Sequence, residues 1–158
     1  MRKRMAVAGL ATFCTLLAAC TSSATQGVDF KAPSDWKSFG IGPMQMWFPP
    51  GQTGSGKSGT VLMLMRLPLG SHPSPISASS FKDSKITENK TIEICGNHPA
   101  QYIAFTGERG NVSGLGQVVE TNWDKNTYLA LYVRDQNIPE NADASAAIRN
   151  ICPTSGSS

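Results

Sequence analysis

Eight consecutive residues, Gly51-Gln52-Thr53-Gly54-Ser55-Gly56-Lys57-Ser58, match the phosphate-binding pattern G-x-x-x-x-G-K-[ST] letter for letter. In such a loop the backbone amides cradle phosphate, the lysine neutralises it and the hydroxyl holds Mg²⁺. Further on, the apolar run 128–133 reaches Asp135 through Arg134, the form of the acidic motif that accompanies Mg²⁺ in nucleotide hydrolysis. A second chemical signal is Cys95 followed three residues later by His98, a spacing found among metal ligands. No second Cys/His pair accompanies it, and His72 stands alone among prolines and serines. His98 is therefore read as a turn histidine, and no metal or other cofactor is expected. The chain is rich in serine but has no G-x-S-x-G elbow, so no catalytic triad is signalled.

The elements that would have to position these groups argue against nucleotide chemistry. A phosphate loop leads straight into a helix, with its Lys and Ser in the first turn. Here Gly59 follows at once, then an apolar run over 60–67 that Pro68 ends, and Pro49-Pro50 precedes the loop. That run has the length of a buried strand. The glycine-rich stretch is read as a flexible connection between two strands. Residues 38–41 and 44–48 are short strands. Residues 85–95 alternate, with Ile92 and Ile94 on one face, and Gly96-Asn97 turns the chain into a strand over 99–106. Strands over 115–123 and 127–134 complete a run of hairpins, which predicts an antiparallel sheet. In the last strand Tyr128, Ala130 and Tyr132 share one face, either as core packing or as the floor of a binding surface, and Leu129, Leu131 and Val133 share the other. A short middle helix is predicted over 77–83, with Phe81 facing inward. A closing helix is predicted over 140–151, where Ala144, Ala147, Ile148 and Ile151 form an apolar stripe. Strict alternation places Cys95 opposite Ile92 and Ile94, so the strand ends there or both faces of the sheet are covered.

The N-terminus carries an address. Arg2, Lys3 and Arg4 are followed by an uncharged, mainly apolar run from Met5 to Ala19. That run is about 15 residues, short of the ~20 that span a bilayer. It closes on Leu17-Ala18-Ala19-Cys20, an aliphatic residue and two small ones before a cysteine. The segment resembles a bacterial lipoprotein signal. The resemblance implies removal of residues 1–19, acylation of Cys20 and a lipid-anchored protein facing outside the cytoplasm. Thr21 after the cysteine resembles the enteric-type rule for export to the outer membrane, where the source has one. Three of the 14 Lys and Arg residues leave with the signal, so 11 basic residues face 11 acidic ones in the remaining 139 residues. The basic balance serves export, and no nucleic-acid partner is expected. Cys14 lies in the discarded run. In the oxidising compartment implied by the signal, Cys95 and Cys152 are expected to pair as a disulfide, with free or metal-binding thiols as the alternatives.

The organisation is then a signal (1–19), a flexible tether (20–34), one domain (35–152) and a disordered Ser/Gly tail (153–158). The fold class is α+β, an antiparallel sheet with a short middle helix and a C-terminal helix. The order of elements through residues 36–49, Cys95-Gly96-Asn97-His98-Pro99-Ala100-Gln101-Tyr102, 128–134 and 144–152 resembles the Mog1/PsbP-like α/β/α sandwich of small bacterial lipoproteins. That resemblance implies no shared catalytic site. The expected function is a non-enzymatic binding or accessory role toward another envelope component. A small envelope hydrolase is the alternative, and a nucleotide binder comes third.

Overall fold

The computed structural model describes residues 23–52, 59–71 and 81–154. Cys20, Lys57, Ser58, His72 and the tail beyond Thr154 lie outside the described residues. Strands β2 (Lys37–Ile41), β3 (Met44–Phe48), β4 (Val61–Pro68), β5 (Lys82–Ile94), β6 (His98–Arg109), β7 (Val112–Trp123) and β8 (Asn126–Asp135) form one antiparallel sheet in the order β2-β3-β4-β8-β7-β6-β5. The hairpin run β5 to β8 is the one that the alternation predicts. The surprise is the crossover: β4 pairs with β8 along its whole length, Val61 opposite Val133 and Pro68 opposite Asn126. This places β8 at the centre of the sheet. Its all-buried TYLALYV stretch is the sequence consequence of having both faces covered.

Helix α1 (Ala142–Arg149) packs on β7 and β8. It is two residues shorter at each end than the sequence suggests. Asn141 caps it: the Asn141 side-chain oxygen accepts the Ala144 N–H at 2.9 Å. The predicted stripe Ala144, Ala147, Ile148 and Ile151 is buried against Leu62, Leu64, Val119, Tyr128 and Tyr132. The opposite sheet face has its own cluster, with Phe81, Phe105, Val118, Leu129 and Leu131 at its centre. Among the described residues α1 is the one helix. The expected middle helix does not extend to its C-terminal end: Lys82 and Asp83 belong to β5, and residues 77–80 lie outside the described residues. Phe81 does face inward, edge-on to Phe105 with ring centroids 5.2 Å apart.

The expected tether is corrected from Ser23 onward. Ala24 and Val28 are buried, and β1 (Val28–Asp29) pairs with β9 (Cys152–Pro153) in a second, two-stranded sheet. The expected tail is likewise corrected at its first two residues: Pro153 lies in β9, and the Thr154 N–H donates to Gly27 O at 3.0 Å. A two-residue strand has no period to read, which is why composition alone suggested loose chain at both places.

Candidate functional site

The loop that matches the phosphate pattern can be judged at its base. Gln52 Oε1 accepts the Thr60 N–H at 2.9 Å, closing the loop across its neck. Asp135 Oδ2 accepts the Gly59 N–H at 2.7 Å, while Asp135 Oδ1 meets the Arg109 guanidinium at 3.3 Å. The same guanidinium donates to Gly59 O at 2.6 Å. The sequence thus brings Asp135 beside the glycine-rich loop, but as its structural clasp. A carboxylate holds the first amide after Ser58, and a phosphate there meets like charge. Beyond Thr60 the chain enters β4 rather than the helix that follows a phosphate loop. Lys57 and Ser58 themselves lie outside the described residues.

The tyrosine face resolves in favour of packing. Tyr128 and Tyr132 are 2% and 1% exposed and Ala130 is fully buried, because α1 and the segment after Ser23 lie on them. The reading of these rings as the floor of a binding surface is corrected accordingly. Their hydroxyls are used in tying down the covering chain. Tyr128 Oη donates to Gln26 O at 2.8 Å, and Tyr132 Oη accepts the Asn141 N–H at 2.9 Å, fixing the start of α1. Burial pushes both phenols above their ordinary pKa; nearby Arg66 opposes this at Tyr128, and the Asn141 hydrogen bond opposes it at Tyr132.

Cys95 and Cys152 are joined, with Cα atoms 5.0 Å apart. The alternation conflict at Cys95 disappears because β5 ends at Ile94 and Cys95 takes a left-handed turn conformation, φ 50°. His98 opens β6, with its ring edge-on to Trp123 (centroids 4.5 Å) and Nε2 2.9 Å from Asn122 O. It lines a shallow polar depression of about 320 Å³ with Thr91, Gln101, Glu120 and Asn122. Among the described residues no three His, Cys, Asp or Glu side chains are grouped to hold a metal ion.

One arrangement had no signal in the sequence. Arg149, in the last turn of α1, lies over the Tyr102 ring at 4.9 Å and donates to its hydroxyl at 3.1 Å. It fixes the end of the helix to β6. The Arg suits the helix dipole, but its partner 47 residues away is invisible without the fold.

No protein-family model matches the chain, and no curated protein is similar to it in sequence. Solved structures are similar in fold. A protein of Bacteroides thetaiotaomicron aligns over 80% of this chain with a TM-score of 0.54 and 10% identity, and the chain spans only 45% of that protein. LpqN of Mycobacterium tuberculosis, described as involved in cell envelope biogenesis, aligns over 84% of this chain and 89% of its own, with a TM-score of 0.52 and 12% identity. At these identities the likeness is one of fold.

Proposed function

We propose that the chain is a lipid-anchored envelope protein, acylated at Cys20, that serves another envelope component by binding rather than by catalysis. The observation that carries this reading is the sequence Leu17-Ala18-Ala19-Cys20 behind a basic and apolar lead, placed three residues before the first packed residues of the domain. Two further observations support it. The groups singled out for nucleotide, metal or surface roles are engaged inside the fold: Asp135 clasps a loop, Tyr128 and Tyr132 hold the covering chain, and Cys95 is bonded to Cys152. The likeness to LpqN, a protein of cell envelope biogenesis, extends over most of both chains and is compatible with an accessory envelope role. Among the described residues no helix is long and apolar enough to cross a membrane. The Mog1/PsbP-like sandwich remains our proposal for the fold family. Thr21 directs the protein to the outer membrane where the source has one.

The test is Cys20→Ser in cells fed a labelled fatty acid. The wild-type chain takes up label and fractionates with membrane, while the variant is unlabelled and leaves the membrane fraction. A variant that still carries the label and remains membrane-bound overturns the assignment of Cys20.

A further inference from the structure

Five large apolar side chains are exposed among the described residues: Phe39, Ile41, Leu69, Ile86 and Trp123. The register of the sheet places three of them at one end. The β2–β3 turn follows Ile41, β4 runs out at Pro68 just before Leu69, and β7 ends on Trp123. Met44 opposite Met65 and Pro68 opposite Asn126 put these turns at the same end of the sheet, with Ile41 and Phe39 on the Leu129 face and Trp123 on the Tyr128 face, and the Leu69 N–H donates to Lys125 O within the β7–β8 turn. Phe39 lies one step back on the same strand face as Ile41. Their exposures are high for residues of this size: 54% for Phe39, 58% for Ile41, 55% for Leu69 and 37% for Trp123.

The N-terminal segment arrives at this same end. The Ser23 N–H donates to Gly42 O at 2.9 Å, and its hydroxyl bonds the same carbonyl at 3.3 Å. Gly42 is the residue next to Ile41. Three peptide steps separate Ser23 from Cys20, and a fully extended chain covers at most about 3.5 Å per step, roughly 10 Å in all. A lipid on Cys20 is thus leashed within about 10 Å of Ser23, too short a span to hold the domain clear of a bilayer surface.

We infer that the turn end of the sheet docks in the surface of the membrane that holds the anchor, with Ile41, Leu69 and Trp123 entering the lipid interface and Phe39 resting against it. The inference depends on the assignment of Cys20 as the acylated residue. A tryptophan at a domain tip suits the headgroup level, where its ring is apolar and its N–H stays wet. Lys125 and Asp124, both exposed in the neighbouring turn, offset each other in charge, so apolar insertion rather than attraction to anionic lipid supplies the contact. The opposite end, with the base of the glycine-rich loop, then faces away from the membrane.

The experiment uses the acylated full chain in phosphatidylcholine vesicles that contain lipids brominated in the acyl chain. Intact mass first establishes acylation of Cys20, so failure of the anchor is scored separately from failure of docking. Trp36 and Trp47 are buried in the core, which leaves Trp123 as the tryptophan open to lipid. Brominated lipid is expected to quench tryptophan emission, and Trp123→Phe to abolish most of that quenching. Ile41→Ser with Leu69→Ser, both at exposed positions, is expected to weaken docking by about tenfold or more, read as lost quenching. Acylated protein whose Trp123 is not quenched overturns the proposal. So does a Trp123 shielded by a cross-linkable second copy, which assigns the patch to self-association. An unacylated Cys20 removes the anchor and the docking with it.

Discussion

Asp135 shows how one side chain takes a motif out of contention. Both of its oxygens are spent inside the fold, one on the Gly59 amide and one on Arg109, with side chains only 9% and 15% exposed. Breaking such a pair strands the remaining cation, so Asp135→Ala should cost about 3 kcal/mol, seen as a lower urea midpoint. Lys57→Ala, by contrast, should change stability by less than about 0.5 kcal/mol. Millimolar Mg-ATP should leave the melting temperature where it is. A melting shift with Mg-ATP that vanishes in Lys57→Ala would restore the nucleotide reading. The two buried tyrosines make a pH statement at the same scale. Burial holds both phenols above their ordinary value, so the neutral form is favoured in the fold. The stability they confer is complete below about pH 10, the unfolded pKa, and is lost as pH rises through the higher folded value. Denaturant midpoints should therefore fall above pH 10, and the fall should flatten in the Tyr128→Phe, Tyr132→Phe double variant. An equally steep fall in that variant would trace the alkaline loss to other groups.

At the scale of elements, what the sequence made legible is what has a period. Strands β6 to β8 read correctly to within a few residues because Tyr128, Ala130 and Tyr132 alternate with Leu129, Leu131 and Val133, and the structure keeps those two sets in two different cores. Periodicity does not say which face a helix will cover, so the sequence left a wet tyrosine surface open as the alternative to packing. Neither β1 nor β9 could be read, because two residues carry no pattern. The glycines of β6 and β7 carry a packing role that a sequence pattern does not show. Gly116 lies flat beneath Phe105: a Cβ there would stand 2.1 Å from the ring carbon Cζ. Gly114 and Gly107 are likewise covered by Phe81. The two phenylalanines fill the second core only because the strands beneath them lack side chains. Gly116→Ala should thus destabilise by about 2 kcal/mol through overpacking, measured by thermal or urea unfolding. Adding Phe105→Leu should recover part of that loss. If the double variant is simply the sum of two independent losses, the contact is not the cause.

For the whole molecule, the disulfide joins pieces that lie far apart in the chain but meet at one end. Cys95 begins the β5–β6 turn, and Cys152 begins β9, which pairs with β1 and so holds the segment leading back toward Cys20. The bond therefore closes a loop of 57 residues and fastens both ends of the chain to the part of the sheet proposed to meet the membrane. A covalent brace suits that place, because β1 and β9 share only two residue pairs and α1 is only eight residues long. In the chain-entropy picture a loop of this size is worth about 4 kcal/mol. Reduction, or Cys95→Ser with Cys152→Ser, should lower the melting temperature by on the order of 15 °C. The loss should be uneven. Hydrogen exchange should speed first in β1, α1 and β9, whose hold on the sheet the bond shares, while β6, β7 and β8 keep their protection until global unfolding. Two freely alkylated thiols in unreduced protein would remove the bond itself. A uniform loss of protection would show instead that the sheet and its helix unfold as one unit, with the bond acting only on the unfolded chain.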